Sequence, residues 1–369
     1  MKSLKAQIIS MLIVLLLSCS NSKSEENMTF RGDIQRTGVY NTQSIVSTPT
    51  LKWKFKSNKY IESSPAISKD YVFFASGDHN VYALDNKIGK LLWNFETGDN
   101  SDCSPALNDG FLYFGDGDGC FHSFDAKTGI EIWKYKTDNQ IDSSPAINDG
   151  VAYFGSGGNL YAIDIESGNE KWNFQTGNNI DSSPAISENL VLIGDDSSNL
   201  YAIQIDTGQK KWVFNTGEKF IEPNPSISNN IVYFGCGKKI YAVEITTGKE
   251  KWSYELEYYI RSYVTIKDNY IYFSAGDRYE EILFAFDTNS LQVKWQNKTM
   301  DITSSPIVGG KNIYIGCKDG LYALDIDSGK ILWKYETEDS IYSSPVLYNK
   351  MLVFGCHDGF LYAIELGEN

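Results

Sequence analysis

Short runs of apolar residues, separated by clusters of Gly, Asn, Asp and Ser, repeat along most of this chain. The stretch Ile141–Phe174 contains four such runs, with a turn cluster between each run and the next. Short runs rich in β-branched and aromatic residues predict strands, and the brief turns between them predict antiparallel pairing. One stretch of this kind therefore predicts one four-stranded antiparallel sheet.

The repeat can be aligned on tryptophan, which recurs at a nearly constant interval. Successive tryptophans are 40, 40, 39, 40, 40, 43 and 38 residues apart. A period near this length with four strands in each copy predicts a β-propeller, in which every sheet covers the faces of its neighbours. The eight tryptophans are Trp53, Trp93, Trp133, Trp172, Trp212, Trp252, Trp295 and Trp333.

The two ends of the repeat region complement each other. The last copy stops after the run Leu361–Ile364 and lacks a fourth strand, whereas an extra strand that contains Trp53 precedes the first copy. Pairing of these two pieces closes the ring and removes its exposed sheet edges. We therefore predict an all-β fold: an eight-bladed β-propeller of four-stranded antiparallel blades over residues 51–366, closed by the N-terminal strand.

A motif recurs in the third and fourth runs of each copy. The pattern A-x-D-x-x-T-G-K-x-x-W is closely matched by Ala83–Trp93 and by Ala323–Trp333, and other copies differ at single positions such as Ser123, Gln204 and Leu291. This pattern resembles the tryptophan-docking motif of the PQQ-type propeller family. The resemblance covers roughly residues 50–366.

The resemblance implies two classes of function. The family includes quinone-dependent dehydrogenases and non-enzymatic envelope lipoproteins, and the chain most resembles the propeller subunit of the bacterial outer-membrane β-barrel assembly machinery. The dehydrogenases are longer chains with adjacent cysteines over the cofactor, calcium-ligating acids and large insertions between blades. In this chain no two cysteines are adjacent and nearly all turns are short. We therefore expect no enzymatic activity and no cofactor.

Residues with metal-binding or catalytic chemistry are few. The histidines His79, His122 and His357 fall outside the spacings of metal and catalytic motifs, and we interpret them as variation within the repeat. The segment Gly115–Gly119 has the composition of a calcium loop, but a tight turn supplies two or three oxygens and calcium takes six or more. We therefore expect no metal site.

The N-terminal residues have the features of an export signal. Basic residues precede the apolar stretch Ile8–Leu17, which is too short to span a bilayer. The sequence Leu16–Cys19 resembles a bacterial lipobox, in which the cysteine becomes the lipidated first residue. We predict a signal peptide over residues 1–18, lipid attachment at Cys19 and a flexible tether over residues 19–29. The alternative is an ordinary signal peptide with an incidental cysteine.

Residues 30–50 join the tether to the propeller. The segment Phe30–Gly38 is similar to the segment that precedes the first blade in many PQQ-repeat proteins. We expect a capping strap in which Arg31, Asp33 and Arg36 form ion pairs with the propeller rim. A contact with a partner protein is the alternative role.

The charge of the chain narrows the choice of partners. A net charge of −14 argues against nucleic acid, whose binding requires a basic surface, and against electrostatic attachment to anionic lipid. Membrane attachment would then depend on the lipid anchor alone. We predict a location in the bacterial cell envelope, at the outer membrane, with envelope proteins as partners.

One face of the predicted disc carries a ring of charged residues. The loops into the first strands share this face with the turns between second and third strands, and each loop has a marked position two residues before its Ser-Pro pair. This position is acidic in five consecutive copies and is arginine in the sixth, which also has a lengthened turn. We predict that this face docks an extended or basic partner segment, with a solvated acidic rim as the alternative. The candidate residues are Glu62, Asp102, Asp142, Asp181, Glu222, Arg261 and Tyr279.

These observations predict a non-enzymatic envelope lipoprotein that acts as a protein–protein interaction scaffold in outer-membrane protein assembly. The alternative function is that of an exported PQQ-dependent oxidoreductase, or of a ligand-binding sensor, that uses the propeller mouth. Clustered acids, arginines and lysines in inter-blade insertions would favour the enzyme, and the sequence lacks such insertions.

We expect the substitution Cys19→Ala to release the protein from membranes or to stall its processing. A diacylglyceryl group together with an N-acyl chain exceeds the two signals that stable membrane attachment requires. Membrane fractionation of cells that produce the variant measures the effect. Unchanged co-fractionation with membranes would contradict lipidation at this cysteine.

Overall fold

The computed structural model describes residues 29–42, 47–99, 103–218, 224–277, 280–298 and 300–367. Within these ranges the strands form eight sheets, each a blade with four antiparallel strands, so the predicted all-β eight-bladed fold is confirmed. No helix in the described part of the chain is long and apolar enough to cross a membrane.

Blades 1 to 4 each use four consecutive strands, which run from the innermost strand at the propeller axis to the outermost strand at the edge. Their strands are β3 Ala66–Ile67, β4 Tyr71–Ser76, β5 Asn80–Asp85, β6 Leu91–Glu96; β7 Ala106–Asn108, β8 Phe111–Gly115, β9 Cys120–Asp125, β10 Glu131–Lys136; β11 Ala146–Asn148, β12 Val151–Ser156, β13 Asn159–Asp164, β14 Glu170–Gln175; β15 Ala185–Ser187, β16 Leu190–Gly194, β17 Asn199–Gln204 and β18 Lys210–Asn215.

Blades 5 to 8 follow the same plan with three additions. Blade 6 gains the short strand β23, blade 7 gains β1 as a parallel neighbour of its innermost strand, and blade 8 takes its outermost strand, β2, from the N-terminal side. Their strands are β19 Ser226–Ser228, β20 Ile231–Cys236, β21 Lys239–Glu244, β22 Glu250–Glu255; β23 Tyr259–Ile260, β24 Thr265–Lys267, β25 Tyr270–Gly276, β26 Glu281–Asp287, β27 Gln292–Asn297; β1 Val39–Tyr40, β28 Ile307–Gly309, β29 Asn312–Cys317, β30 Gly320–Asp325, β31 Ile331–Glu336; β2 Thr50–Lys56, β32 Val346–Tyr348, β33 Met351–Gly355 and β34 Phe360–Glu365.

Burial changes from the middle to the edge of each blade. Consecutive residues of the second strand, such as Phe73 and Phe74 in β4, are both fully buried because a neighbouring blade covers each face of the sheet. The outermost strands instead alternate between exposed and half-buried residues, as in β14. This burial explains the nearly continuous apolar runs in the sequence.

Six of the tryptophans donate an indole hydrogen bond to a carbonyl oxygen of the next blade. The Trp93 indole N–H donates a hydrogen bond to the Ala126 carbonyl oxygen at 3.0 Å, and its ring lies against Gly129. Gly129 has a φ of 70°, and a Cβ placed there would lie 2.7 Å from Trp93 Cδ2. Glycine is therefore required both by the left-handed backbone and by the close approach of the ring. In blade 6 the equivalent residue is Leu291, which adopts the same left-handed region with a φ of 55°.

The ring is closed by pairing between β2 and β34, as predicted. Trp53 lies opposite Ala363 in this pairing, and only 7% of its surface is exposed. Its indole N–H donates to the Asn86 carbonyl oxygen of blade 1 at 2.9 Å, so the closing strand also docks on the first blade.

A ring of serine hydroxyls ties the innermost parts of neighbouring blades together. The backbone N–H of Ser64 donates to Ser104 Oγ at 2.9 Å, and that of Ser104 donates to Ser144 Oγ at 3.0 Å. Ser144 bonds to Ser183 in the same way, and Ser344 bonds to Ser64 at 3.0 Å, which joins the last blade to the first. The serine of the repeated Ser-Pro pair is therefore a link between blades.

The segment 29–40 lies along the innermost strands, inside the central channel. Its carbonyl oxygens at Ile34, Gln35 and Thr37 accept hydrogen bonds from backbone N–H groups of β15, β19 and β24 at 2.7–2.9 Å. The donors are on the free edges of these innermost strands, which pair with no other strand of their own blades on that side. The strap thereby connects several blades across their centre.

The strap arginines do not form the ion pairs that we expected at the rim. Arg31 and Arg36 are almost completely buried, and their guanidinium groups donate to backbone oxygens of the innermost segments. Arg36 reaches the carbonyl oxygens of Pro184, Ser144 and Pro145 at 2.9–3.0 Å, and Arg31 reaches that of Val264 at 3.1 Å. Burial lowers the pKa of each arginine to about 10, which still leaves both protonated at neutral pH. Expectation and structure differ because the carbonyl groups converge on the channel and not on the rim.

We expect Trp53→Ala to lower the free energy of unfolding by about 3–5 kcal/mol, because it removes a buried indole and its bond to blade 1. Chemical denaturation monitored by circular dichroism measures this change. Leu51→Ala on the same strand is the matched control, since Leu51 is 46% exposed and its truncation should cost roughly 0.5 kcal/mol or less. A loss below about 1 kcal/mol for Trp53→Ala would show that this indole contributes little to closure.

Candidate functional site

A cavity of about 220 Å³ lies at the centre of one face of the propeller. Its walls come from the loops that enter the first strands, which lie beside the turns between second and third strands; in blade 1, for example, the Gly77 N–H donates to the Tyr60 carbonyl oxygen at 3.0 Å. We call it the mouth cavity. It is lined by Phe30, Glu62, Ser64, Ser104, Asp142, Ser144, Asp181, Ser183, Arg261, Tyr263, Thr303, Ser304, Ser305, Tyr342 and Ser344.

Four of the residues singled out in the sequence meet in this cavity: Glu62, Asp142, Asp181 and Arg261. They come from four different blades and are brought together only by closure of the ring. The other candidate residues lie outside the described residues, as does the predicted lipidation site; these are Asp102, Glu222, Tyr279 and Cys19.

The acids of the cavity wall are partly removed from water. Burial raises the pKa of Asp142, although the Gln140 amide donates to its Oδ2 at 2.5 Å. Burial also raises the pKa of Asp181, and the nearby charge of Asp142 adds to this effect. Carboxylates that are costly to ionise favour a positively charged neighbour, so this wall attracts cationic groups.

Arg261 marks the opposite side of the mouth and is held by an acidic residue. Its Nε lies 3.1 Å from Glu281 Oε1. The Glu281 side chain is only 17% exposed, and burial raises its pKa to about 7 despite the opposing effect of the arginine. Its Oε2 is buried and has no hydrogen-bond partner among the described residues. Glu281 belongs to the lengthened turn of the sixth copy, which was the signal for it in the sequence.

Arg261 also lines a second cavity of about 280 Å³ beside the mouth. This side cavity is bounded by the lengthened turn of blade 6 and by blade 7. Its charged residues besides Arg261 are Asp277, Glu280, Glu281, Asp301 and Lys318. The mouth cavity therefore opens towards a further predominantly acidic surface.

A histidine on the mouth face contacts one of the acidic wall residues. His357 Nε2 lies 2.5 Å from Glu62 Oε1, and the imidazole ring lies 5.1 Å from the Tyr60 ring and 4.4 Å from the Tyr342 ring. Tyr342 is 45% exposed, so the cluster presents an aromatic surface at the edge of the cavity. The sequence indicates only variation within the repeat at His357, because its partners come from blades 8 and 1 and meet only when the ring closes.

The floor of the mouth cavity is formed with the strap. Phe30 packs edge-on against Tyr263, with the ring centroids 5.3 Å apart, and the Arg31 guanidinium lies 5.2 Å from the centroid of the Tyr263 ring. Tyr263 replaces the serine of the repeated Ser-Pro pair in blade 6. This single replacement gives the strap an aromatic contact at the axis and makes the cavity shallow.

The residues of the mouth do not fit a PQQ cofactor. Its volume of about 220 Å³ is below the range of about 300–1,000 Å³ that is usual for small-molecule sites. PQQ carries carboxylate groups, which the acidic wall would repel, and Arg261 is already paired with Glu281. Among the described residues the acids of the mouth also do not come close enough together to share one calcium ion.

We expect Glu281→Gln to change how stability depends on pH. Since the folded-state pKa of about 7 exceeds the ordinary 4.5, the folded protein binds more protons between these values, and its stability falls as the pH rises through this window. As the pH rises from 4.5 to 7.5, the free energy of unfolding of the variant should increase by about 1 kcal/mol relative to that of the parent. This is less than the full linkage value, because water reaches part of the site.

Denaturant melts across this pH range test the effect. Glu96→Gln, on the exposed face of β6, is the control for the loss of one negative charge. A difference between Glu281→Gln and the parent that does not vary with pH would contradict a raised pKa at Glu281.

Solved structures of two functional classes share this fold. BamB from Moraxella catarrhalis aligns with a TM-score of 0.74 at 19% identity, over 88% of this chain and 99% of that chain. The quinohemoprotein alcohol dehydrogenase ADHIIG from Pseudomonas putida HK5 aligns with a TM-score of 0.80 at 15% identity, over 94% of this chain and 81% of that chain. A europium-containing methanol dehydrogenase also scores 0.80, at 14% identity, over 93% of this chain and 99% of that chain.

These similarities establish the propeller fold and leave the choice between the two classes open. No curated protein sequence matches the chain. The sequence model of one family, in contrast, matches nearly all of the propeller, over residues 43–104, 81–297, 217–346 and 297–368. The chain therefore belongs to the PQQ-repeat family that is described as outer membrane protein assembly factor BamB.

Proposed function

We propose that this protein is a non-enzymatic, lipid-anchored scaffold of the cell envelope, whose mouth face docks a basic segment of a partner in outer-membrane protein assembly. The observation that carries the proposal is the meeting of Glu62, Asp142 and Asp181 in one shallow cavity. Membership of the family of assembly factors supports the location in the envelope and the kind of partner.

The charge of the mouth supports a cationic binding partner. Three described carboxylates line the cavity, and the one arginine on its wall is paired with Glu281. A lysine or arginine of a partner would lower the cost of keeping Asp142 and Asp181 ionised, so binding and ionisation reinforce each other. Complementary charge of this kind increases the rate of encounter and suppresses incorrect partners.

The shape of the mouth supports a protein segment as the ligand. The cavity is shallow because the strap and Tyr263 form its floor, and it continues into the side cavity through Arg261. An extended segment can lie across both cavities, whereas a compact small molecule would remain largely exposed. The exposed Tyr342 at the edge offers the aromatic contact that interface hot spots commonly use.

The predicted anchor at Cys19 would hold this face near the membrane while the tether over residues 19–29 allows it to reorient. A membrane-bound partner would then meet the mouth at a high effective concentration, even where the intrinsic affinity is modest. In this scaffold the lipid anchor would bring the docking face close to membrane-bound partners.

We expect the double variant Asp142→Asn, Asp181→Asn to reduce capture of the partner by about tenfold, because two interface charge pairs contribute on the order of 1–2 kcal/mol together. The measurement is affinity purification from membranes of cells that produce the full-length protein, with identification and quantification of the co-purifying proteins. Thermal unfolding should remain nearly unchanged, since both acids lie on the cavity wall.

The control is the double variant Glu166→Gln, Asp206→Asn, which removes two exposed acids of blades 3 and 4 on the opposite face. It should capture the partner as the parent does. Equal capture by both double variants would place the binding surface elsewhere, and stoichiometric uptake of PQQ with calcium by the purified protein would support the oxidoreductase instead.

A further inference from the structure

A cluster of metal-ligating side chains lies in blade 2, outside both cavities. Its members are Asp116, Cys120 and His122, and one ligand atom from each lies within 4.8 Å of the other two. No other group of three His, Cys, Asp or Glu residues in the described part of the chain is this close. None of the three residues lines the mouth cavity or the side cavity.

The hairpin between β8 and β9 brings these residues together. Asp116 directly follows β8, and its Oδ1 accepts a hydrogen bond from the Cys120 backbone N–H at 2.7 Å. Cys120 and His122 are two positions apart in β9, so their side chains leave the same face of the sheet. Asp116 and His122 are buried, whereas Cys120 is partly exposed, which leaves a route for an ion from solvent.

The same hairpin in blade 4 shows what has changed. There Asp195 Oδ1 accepts from the Asn199 backbone N–H at 2.9 Å and its Oδ2 accepts from the Tyr201 hydroxyl at 3.1 Å. Blade 2 keeps the carboxylate and the turn, but the asparagine position holds Cys120 and the tyrosine position holds His122. Both replacements introduce a side chain that is a common metal ligand, and they occur at one site.

A further carboxylate orients the imidazole. Glu131 Oε1 lies 2.7 Å from His122 Nδ1, while Asp116 Oδ2 lies 3.0 Å from His122 Nε2. A metal-binding histidine usually donates its second ring N–H to a carboxylate, which fixes the tautomer and leaves the other nitrogen free for the metal. Rings of Phe95 and Phe114 contact the imidazole, at centroid distances of 5.6 and 5.0 Å, and restrict its rotation. The glutamate and the rings together pre-organise Nε2 as a ligand.

We propose that Asp116, Cys120 and His122 form a binding site for a divalent transition-metal ion of the zinc type, with Glu131 positioning the histidine. A thiolate, an imidazole and a carboxylate are the ligands that zinc takes in proteins, and a water molecule completes the fourth position. The hard, oxygen-rich sphere that calcium requires is absent from this ligand set. The turn Gly115–Gly119 alone offers too few ligands for a metal ion, and the cysteine and histidine that follow it supply the missing ones.

Binding is coupled to loss of the thiol proton. On binding, the ion takes the place of the hydrogen between His122 Nε2 and Asp116 Oδ2, and this proton passes to solvent together with the proton of the thiol.

The test uses the purified full-length protein, treated with a chelator and titrated with Co²⁺ as a spectroscopic probe for zinc. One equivalent should produce a thiolate-to-cobalt charge-transfer band, and Zn²⁺ should abolish the band by displacement. Cys120→Ser should lose the band. Cys356→Ser removes a buried cysteine of blade 8 and is the matched control that should keep it.

Two further variants separate ligand from positioning roles. His122→Tyr recreates the Tyr–Asp pair of blade 4, so it should fold as the parent does and should bind Co²⁺ at least about tenfold more weakly. Glu131→Gln should weaken binding by about 10–100-fold while keeping the band, because it alters only the orientation and basicity of the histidine. Absence of a charge-transfer band in the parent, or an unchanged band and affinity in both Cys120→Ser and His122→Tyr, would overturn the proposal.

Discussion

The structure depends on the fact that a four-stranded blade cannot bury both of its faces alone. Each blade relies on the next, and the main contact is the tryptophan that packs on a left-handed glycine of the neighbouring turn, as Trp93 does on Gly129. Since this contact points in one direction around the ring, a chain of copies would leave one docking turn unoccupied at its end. Strand β2 removes the unpaired edge by joining β34, and Trp53 occupies the turn of blade 1. Closure is therefore the condition under which every other contact is satisfied. Closure by a separate strand leaves one hydrogen bond unmade. The buried indole N–H of Trp333 has no hydrogen-bond partner among the described residues, because no docking turn joins the third and fourth strands of blade 8.

A closed ring creates a second problem at its axis, where carbonyl groups of the innermost segments converge. The buried guanidinium groups of Arg31 and Arg36 satisfy several of these groups at once, which a neutral side chain with one or two donors could not do. The arginines remain charged although burial lowers their pKa values, since the surrounding carbonyl dipoles replace water. The strap consequently fills the channel, and the mouth becomes a shallow surface with a floor. Its depth, and with it the kind of ligand that fits, is thus determined by residues that precede the first blade.

The repeat made much of the fold predictable from the sequence. Strand number, blade number and ring closure each follow from local spacing, because the same few contacts recur at every copy. Convergence of Glu62, Asp142, Asp181 and Arg261 was also predictable, since their shared position in the repeat places them on one face.

Contacts between non-equivalent positions of different copies could not be predicted from the sequence. The buried environment of Glu281 depends on blades 6 and 7 together, and the pairing of His357 with Glu62 crosses the junction between the last blade and the first. The arginines of the strap were assigned to the rim because charged residues usually lie at surfaces, whereas their partners are backbone atoms that carry no sequence signal.

The regularity of the propeller also gives a way to recognise functional positions. Eight copies of one geometry act as internal controls, so a residue that departs from the others at an equivalent position is not explained by the needs of the fold. Two blades depart at several positions that meet in space. In blade 6 an arginine and a tyrosine in place of serine border the mouth, the longer turn borders the adjoining side cavity, and Leu291 retains a strained glycine conformation in the docking turn. In blade 2 a cysteine and a histidine replace an asparagine and a tyrosine around a conserved turn geometry, and Glu131 stands behind the histidine. These two groups of departures lie at the proposed docking face and at the proposed metal site.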